Sequence, residues 1–318
     1  MIKVLDKEYN DIDEALASID DNNSSNIDID LNGYIFKQVV INKPNVTLKN
    51  GTIDYNLGAY EILDDGYKRG TFRTYTLFVD ADNVRIENVT VKNSNGYNEG
   101  QTIALMINGD NFKAVNSTIS SYQDTLFIAP LPEKEYEVGG FRGPLENRER
   151  RYCRAFFDKC LIEGSIDFIF GGGLGYFENC EIKSLNIFRD INGFVCAPST
   201  PENKEYGFIF NKCNFTSEDN MDDSVYLARP WRDYGKCMIV NSDIGSHIKA
   251  EGYHDWDKLH ARKTCEFKEY ENRSSTTTNR VEWMKEVSKK DLEYINSLRE
   301  EKWWTIFVKR FMILVLCQ

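Results

Sequence analysis

Residues 164–175 read GSIDFIFGGGLG, an apolar run that contains one aspartate and ends in three consecutive glycines. The β-branched and aromatic residues on both sides of Asp167 are typical of a β-strand. The aspartate therefore either points into a functional site or is an edge-strand residue that faces water. The glycines allow a second backbone or a ligand to approach closely.

Two further stretches carry groups that suit catalysis at strand ends. The sequence YQDTLF places Gln123 and Asp124 at the start of another apolar strand, and ARPW places Arg229 and Trp231 in a rigid turn. Two carboxylates, an amide, a guanidinium and an aromatic platform serve acid/base or nucleophilic chemistry on a polar polymer. The alternative is structural: Arg229 forms only an ion pair and Trp231 only fills the core.

Short strands of one pattern recur along the chain at about 20-residue spacing. Residues 45–50, 84–91 and 112–119 are the first examples, and each has apolar, polar, asparagine, polar and apolar positions in order. Regular leucines and a helical period are both missing, which excludes leucine-rich and helical repeats. The pattern predicts an all-β protein, a parallel β-helix, in which asparagines at equivalent turns form hydrogen-bonded ladders.

The repeat also predicts where the candidate residues lie. Gln123 follows Gln101 by 22 residues, and Asp167 follows Asp124 by 43. Residues 129–150 are rich in proline, glycine and charge and are expected to loop out, which leaves about one rung between the two aspartates. We therefore expect these four residues on neighbouring rungs, roughly 5 Å apart per step.

The chain divides into four expected segments. Residues 1–26 read as an N-terminal cap with a short amphipathic helix, and 27–275 as the β-helix catalytic domain. Residues 276–304 carry a C-terminal helix, with Ser288 as its N-cap, that covers an end or a side of the solenoid. The apolar tail 305–318 is too short for a membrane span and receives no role.

Charge and residue spacing restrict the partners. The formal net charge of −11 argues against nucleic acid and anionic membranes as partners, and we expect a monomer. His247, His254 and His260 show no metal-ligand spacing and no serine partner, so no metal site is expected.

The cysteines and the N-terminus predict a cytoplasmic protein. The eight cysteines are spread along the chain without the dense spacing of a disulfide framework, which indicates free thiols in a reducing compartment. The first 20 residues carry acidic side chains at the positions where a secretory signal has its apolar run. Secretion, of a trimmed form or without a signal peptide, is the alternative. Cys160 and Cys180 stand at equivalent points of two repeats, so they could touch and could form a disulfide under oxidation.

Four motifs in this order resemble the pectin methylesterases, also called pectinesterases: QTIAL at 101–105, YQDTL at 122–126, GSIDFIFG at 164–171 and RPW at 229–231. The resemblance runs from about residue 33 to 283. It implies a right-handed parallel β-helix that removes methyl esters from galacturonate units of pectin or of methylated oligogalacturonides. Methanol is the product, and no cofactor or metal is needed.

The resemblance also implies roles for single residues. Asp167 would be the nucleophile, and Asp124 the general acid and then the general base. Gln101 and Gln123 would stabilise the oxyanion, and Arg229 would hold Asp167. These roles are chemically consistent, because a carboxylate held by a guanidinium stays ionised while a second buried acid nearby keeps its proton.

The resemblance further assigns substrate binding to Trp231, which would stack on a sugar ring, and to Tyr122, Phe168 and Thr102. Two other functions stay open. One is a β-helical enzyme that cleaves the pectin chain, and the other is a non-catalytic pectin-binding β-helix in which the acids only bind sugar hydroxyls.

Overall fold

A computed structural model of the protein describes residues 1–275 and 278–300. The β-strands are β1 (Ile2–Val4), β2 (Lys7–Tyr9), β3 (Ile27–Phe36), β4 (Val39–Ile41), β5 (Val46–Tyr55), β6 (Leu77–Val79), β7 (Arg85–Asn93), β8 (Leu105–Ile107), β9 (Phe112–Val115), β10 (Thr118–Ser120), β11 (Leu126–Ile128), β12 (Arg154–Asp158), β13 (Leu161–Gly164), β14 (Ile166–Gly171), β15 (Leu174–Glu178), β16 (Glu181–Ser184), β17 (Gly193–Pro198), β18 (Phe208–Asn211), β19 (Asn214–Ser217), β20 (Val225–Ala228), β21 (Lys236–Val240), β22 (Asp243–Ile244), β23 (Glu266–Tyr270), β24 (Arg273–Ser274) and β25 (Lys285–Glu286). The α-helices are α1 (Ile12–Ala17), α2 (Ala261–Thr264) and α3 (Lys289–Glu300), and a 3-10 turn covers Thr71–Arg73.

The strands stack into the predicted parallel β-helix. Seven of them form one parallel sheet, here called the site sheet, in the spatial order β4, β6, β8, β11, β14, β17 and β20. The remaining strands form a larger sheet, which is parallel except where β1 pairs antiparallel with β2 and β3. Successive turns of the chain therefore lie directly on one another, and the core fills the space between the sheets.

The interior is filled by stacked side chains from successive rungs. Phe157, Phe177 and Phe210 occupy the same register position in β12, β15 and β18. Their ring centroids lie 4.7 and 4.6 Å apart, with planes within 11° and 10° of parallel. None of the three side chains is exposed. Because side chains alternate across a strand, the residues before them point outward.

The recurring asparagines occupy turns with a left-handed backbone. Asn50, Asn83, Asn88 and Asn111 all have φ between +54° and +59°, a conformation that asparagine tolerates better than most residues. The predicted ladders also form, since the side-chain amides of Asn88 and Asn111 donate to Asn50 and Asn83 at 3.3 and 2.7 Å. Backbone conformation is thus a second reason for these asparagines, which the repeat alone did not indicate.

The three glycines that follow Phe170 allow neighbouring rungs to pack closely against each other. A Cβ atom on Gly173 would lie 2.4 Å from the Ala129 carbonyl oxygen, and one on Gly172 would lie 2.8 Å from that of Pro130. Any side chain at these positions would push the two turns apart. The close approach is therefore by a second backbone rather than by a ligand.

All cysteines within the described part of the chain are buried and unpaired. Cys160 and Cys180 are neighbours, as predicted, because the Cys160 backbone N–H points at the Cys180 sulfur from 3.4 Å. Burial raises the pKa of both thiols well above the usual value, so they behave as apolar filler.

Helices cover one end and one side of the solenoid. At the N-terminal end α1 packs on β1, β2 and β4, with Ile12, Ala15 and Leu16 buried. The C-terminal helix α3 begins at the predicted cap, where the Asp291 N–H donates to the Ser288 hydroxyl oxygen and the Ser288 N–H donates to the Asp291 carboxylate.

The helix α3 lies on a side and not on an end. Its Ile295 and Leu298 pack on Tyr176, Ile209 and Met238, which point outward from β15, β18 and β21. This contact explains why the outer face of these strands is apolar. Residues 276–277 and 301–304 of the expected C-terminal segment, and the tail 305–318, lie outside the described residues. Across 1–275 and 278–300, every helix is too short or too polar to traverse a bilayer.

We expect Phe177→Ala to lower the free energy of unfolding by about 3–5 kcal/mol, because it leaves a cavity in the interior stack. Urea denaturation of both proteins measures the difference. Phe188→Ala is the control, since Phe188 is 78% exposed and its loss should cost no more than about 0.5 kcal/mol. Equal losses in the two variants would contradict the assignment of the stack as core.

Candidate active site

The candidate residues meet at the starts of β11 and β14. Gln101 and Gln123 pair as a parallel bridge on neighbouring rungs. The Asp124 backbone N–H donates to the Ile166 carbonyl oxygen at 3.0 Å, which places Asp167 on the next rung. The predicted arrangement of the four residues on adjacent rungs is confirmed.

A cleft of about 380 Å³ opens over these residues. Its floor is polar and contains the two glutamines, the two aspartates and Arg229. The walls are mainly aromatic and are formed by Phe72, Tyr136, Phe141, Phe170, Trp231 and Trp256. Such a shape suits a ligand with polar groups on one side and flat apolar faces on the others.

Both aspartates have a left-handed backbone. The φ angles are +61° at Asp124 and +52° at Asp167. Residues other than glycine adopt this region of backbone conformation uncommonly. Backbone hydrogen bonds between rungs hold the chain around both residues, from the Asp124 N–H to the Ile166 carbonyl oxygen and from the Phe194 N–H to the Ser165 carbonyl oxygen. Conformations of this kind concentrate at functional sites, where they direct a side chain that a regular strand would point elsewhere.

Arg229 holds the Asp167 carboxylate with two parallel hydrogen bonds. The guanidinium Nε donates to Oδ1 at 2.8 Å and Nη2 donates to Oδ2 at 2.6 Å. The guanidinium plane is enclosed by aromatic rings, with the Phe194 and Trp256 centroids each 3.7 Å from its central carbon. The two-pronged pairing, with a guanidinium whose own position is held by two aromatic rings, fixes the position of the Asp167 carboxyl group.

Asp124 is in a different electrostatic environment. Its side chain is buried, and no residue in the described part of the chain donates a hydrogen bond to its carboxyl group. Burial, and then the nearby charge of Asp167, raise its pKa well above 3.8, while Arg229 opposes this shift. The two neighbouring acids thus have different environments: one is paired with a guanidinium, and the other is buried without an ion partner and has a raised pKa.

The amide side chains of Gln101 and Gln123 have no hydrogen-bond partner within residues 1–275 and 278–300. Both line the cleft and are partly exposed. Their N–H groups are therefore free to donate to an oxygen atom of a ligand. Trp231 forms part of the wall, where its ring lies 5.8 Å from Phe170 and 6.3 Å from Phe141.

Three of the residues assigned to substrate binding are not brought to the cleft. Thr102 and Phe168 have no exposed surface. Phe168 lies in the interior core beside Ile169, because the left-handed backbone at Asp167 and the register shift between Ile166 and Ile169 interrupt strand alternation here. The Thr102 hydroxyl is 2.5 Å from that of Ser121. Tyr122 is partly exposed outside the cleft, where it packs against Tyr97 at 5.6 Å. Burial thus keeps the side chains of Thr102 and Phe168 away from the surface of the cleft.

Sequence reasoning missed the two residues that enclose Arg229. Phe194 begins the β17 rung, and Trp256 lies in a loop after β22, with φ of +56°. The sequence does offer a signal for Trp256. It is an aromatic residue in the polar segment HDWDK, and a tryptophan with charged neighbours on both sides is not typical of a core position.

Local hydrogen bonds hold the loop that carries Trp256. Its backbone N–H donates to His254 Nδ1 at 2.9 Å, and Asp255 accepts from Arg262 at 2.7 Å and from the Asp257 N–H at 2.9 Å. Side-chain ligand atoms of His254, Asp255 and Asp257 lie within 4.8 Å of one another. Because two of the three residues already accept these hydrogen bonds, we interpret the cluster as one that stabilises the conformation of the loop.

The long loop after β11 is fastened to the solenoid by arginines. Arg148 pairs with Asp80 at 2.8 Å, and Arg154 with Asp110 at 2.7 Å. A third ion pair joins Arg151 to Asp82. This anchoring positions Tyr136 and Phe141, from the same loop, on the wall of the cleft.

Known proteins resemble this chain over most of its length. The Pectinesterase family pattern matches residues 4–131 and 146–301. A probable pectinesterase/pectinesterase inhibitor 19 of Arabidopsis thaliana is 25% identical over 284 residues, 86% of this chain and 50% of that protein. The chain thus spans about half the length of the curated relatives it matches.

Solved structures share the fold. The pectin methylesterase of Yersinia enterocolitica aligns with a TM-score of 0.73 and 23% identity, over 94% of this chain and 98% of that one. The pectin methylesterase of carrot aligns with a TM-score of 0.73 and 24% identity, over 89% and 85%. Both support the parallel β-helix.

We expect Asp124→Asn to have a higher free energy of unfolding than wild type, by an amount that grows as the pH rises. The folded state raises the pKa of Asp124, so this acid contributes most stability below pH 3.8 and loses it as the pH rises through the folded-state pKa. Asparagine cannot ionise. Urea denaturation between pH 4 and pH 8 should therefore show a gain over wild type that grows with pH.

Asp291→Asn is a control in which we expect the opposite change in the free energy of unfolding. Despite its burial, hydrogen bonds from Ser288 and Lys268 lower the pKa of Asp291, so its contribution to stability is present above pH 3.8 and the variant should lose stability there. A loss of stability in Asp124→Asn that grows with pH would contradict the electrostatic description of the site.

Proposed function

The chain belongs to the pectinesterase family, and from this premise we propose that it hydrolyses methyl esters of galacturonate units in pectin or in methylated oligogalacturonides. Methanol and a free carboxylate are the products. The observation that carries the proposal is the pair of unlike acids, with Asp167 bound by Arg229 and Asp124 buried beside it. A related pectin methylesterase structure is a complex with a hexasaccharide, which supports an oligosaccharide in the corresponding cleft here.

In the first half of the reaction, an Asp167 carboxylate oxygen attacks the ester carbonyl carbon. Negative charge develops on the carbonyl oxygen, and the side-chain N–H groups of Gln101 and Gln123 donate hydrogen bonds to it. The bond to the methoxy group then breaks, and Asp124 donates its proton to the departing oxygen. Methanol leaves, and Asp167 is joined to the substrate as a mixed anhydride.

In the second half, Asp124 is a carboxylate and acts as the general base. It accepts a proton from a water molecule as the water oxygen attacks the galacturonyl carbon. The anhydride bond breaks, Asp167 returns to its ionised form, and Arg229 again binds both of its oxygens. The free galacturonate leaves, and Asp124 is protonated as at the start.

The aromatic walls hold the sugar. Trp231, on the side of the cleft formed by the long loop, stacks on a sugar ring and aligns the ester with Asp167. Residues 27–275 form the catalytic unit in this proposal, with residues 1–26 as its cap.

The expectation of a cytoplasmic protein is wrong. The relatives that the chain matches are plant and microbial pectinesterases, a class that acts on extracellular pectin, and they point to a secreted protein.

We expect Asp167→Asn and Asp124→Asn each to reduce methanol release from methylated pectin by at least about 10³-fold, because each removes a group that bonds to reacting atoms. Circular dichroism should show the same strand content as wild type. Turnover close to wild type in either variant would contradict the mechanism. Wild-type binding of pectin without methanol would indicate the non-catalytic alternative, and an unsaturated, ultraviolet-absorbing product would indicate chain cleavage.

We expect Gln123→Ala to lower kcat by about 10²-fold with little change in KM, because its amide donates to charge that is present only in the transition state. Initial rates of methanol release give both constants. Asn22→Ala is the control, since Asn22 also carries an amide but is exposed in the N-terminal cap and does not line the cleft. A rise in KM at constant kcat would contradict the oxyanion role.

A further inference from the structure

One histidine side chain supports the loop residue that packs on Arg229. The Trp256 ring lies over the Arg229 guanidinium, with its centroid 3.7 Å from the central carbon. The Trp256 backbone N–H donates to His254 Nδ1 at 2.9 Å. Because a backbone N–H can only donate, Nδ1 must present its lone pair to it. In this conformation the imidazole is therefore neutral and carries its proton on Nε2.

This hydrogen bond supports a backbone conformation that is unfavourable on its own. Trp256 and Asp257 both have a φ of +56°, and a bulky residue such as tryptophan rarely adopts the left-handed region. Such a residue persists there only where the surrounding contacts hold it, and the bond to His254 is one of these contacts. The position of the indole ring on Arg229 therefore depends on His254.

His254 is itself anchored to the rung that carries Arg229. Its backbone N–H donates to the carbonyl oxygen of Ala228 at 3.1 Å. The imidazole packs edge-on against the Phe194 ring, with the two centroids 5.8 Å apart, and Phe194 also packs on the Arg229 guanidinium. The same imidazole thus contacts both aromatic residues that hold Arg229, Phe194 through its ring and Trp256 through its N–H.

Charged groups around the imidazole offer other partners to its protonated form. They are Asp255 and Asp257 of the same loop, Arg262 of α2, which binds Asp255, Tyr226 of β20, which has Lys249 near its ring, and Arg229, which lies on the Phe194 ring. An imidazolium has two N–H donors and no acceptor. It can bond to a neighbouring carboxylate, but it can no longer accept from Trp256.

The imidazole can take up a proton without an opening of the catalytic cleft. His254 is partly exposed and lines a separate groove of about 480 Å³, together with Arg262 and Trp283. Histidine is the side chain that ordinarily changes charge between about pH 5 and pH 8. A moderate change in acidity is therefore able to remove the acceptor of the Trp256 N–H.

We propose that neutral His254 is a positioning residue of the esterase, which holds Trp256 on Arg229 until acid protonates it. The inference rests on the proposed function. Its consequence is a loss of activity in acid that is separate from the titration of the two catalytic acids. Once Trp256 is released, Arg229 is held less firmly, and the Asp167 carboxylate that it binds is aligned less precisely with the ester.

The test compares kcat/KM for methanol release by wild type and by His254→Asn between pH 5 and pH 8. Asparagine Oδ1 stands two bonds from Cβ, as histidine Nδ1 does, so this variant keeps an acceptor but does not titrate. We expect equal activity at pH 8, and at pH 5 about fivefold lower activity in wild type than in the variant, the effect of losing one hydrogen bond. Because both proteins contain Asp124 and Asp167, the ratio of their activities cancels the titration of these acids.

Two further variants separate this role from general support of the loop. His254→Ala removes the acceptor at every pH, so it should be about fivefold less active than wild type at pH 8 and about as active as wild type at pH 5. His260→Asn is the matched control, because it removes an exposed histidine that bonds to Asp233 at 3.1 Å, and it should follow the wild-type pH profile. A ratio of wild type to His254→Asn that stays constant from pH 5 to pH 8 would overturn the inference, since a merely structural histidine changes activity equally at every pH.

NMR separates the inference from the esterase proposal. Labelling with tryptophan that carries ¹⁵N at its backbone nitrogen gives one amide signal for each of the five tryptophans, and the signal absent from Trp256→Phe identifies Trp256. We expect this signal to shift between pH 5 and pH 8 with the same midpoint as the His254 imidazole, and to stay constant in His254→Asn. If wild type releases no methanol from any substrate, the esterase proposal fails and the role of His254 is judged on this titration alone. A Trp256 amide signal that does not follow the titration of His254 would overturn it.

Discussion

The parallel backbone hydrogen bonds between successive rungs determine where the two glutamines and the two aspartates on the floor of the site lie. The bond from the Asp124 N–H to the Ile166 carbonyl aligns two turns of chain that are 43 residues apart in sequence. The same register stacks Phe157 on Phe177 in the interior. Because one register serves both purposes, the core that stabilises the solenoid also fixes the spacing of the acids. The left-handed φ angles at the two aspartates are held by this scaffold.

Given that spacing, the surroundings give two chemically identical acids different environments. Arg229 neutralises Asp167 with two hydrogen bonds, and its own position is held by Phe194 and Trp256. Asp124 is buried without such a partner, and its burial and the charge of Asp167 raise its pKa. The proposed reaction needs this asymmetry, since a nucleophile must be ionised while the leaving methoxy group must receive a proton. The walls then serve to orient the ester and to exclude water.

Much of the fold and the floor of the site could be predicted from the sequence because both depend on register. A repeat of constant length translates sequence spacing into rung spacing, which placed Gln101, Gln123, Asp124 and Asp167 together. The inward direction of Phe168 could not be predicted, because the left-handed backbone at Asp167 interrupts the alternation of the strand and turns Phe168 and Ile169 to the same interior core. A shared motif indicates that residues belong together, but it does not indicate which face of the strand each occupies.

The walls could not be predicted in this way, because they come from segments outside the repeat. Trp256 reaches Arg229 through a loop whose path depends on His254 and Asp255, and α3 covers a side of the solenoid because the outward face of β15 and β18 is apolar. Cellular location was predicted wrongly from thiols and terminal composition, since neither reports where the substrate lies.

The carboxyl ¹³C NMR titration of Asp124 tests the central claim most directly, because it reads the protonation state on which the division of roles depends. The structure predicts a midpoint well above 3.8 in wild type. It also predicts a lower midpoint in Asp167→Asn, where the neighbouring negative charge is gone and Arg229 remains. A wild-type midpoint at or below 3.8, or one that is unchanged by Asp167→Asn, would contradict the claim that burial and Asp167 keep the proton on Asp124.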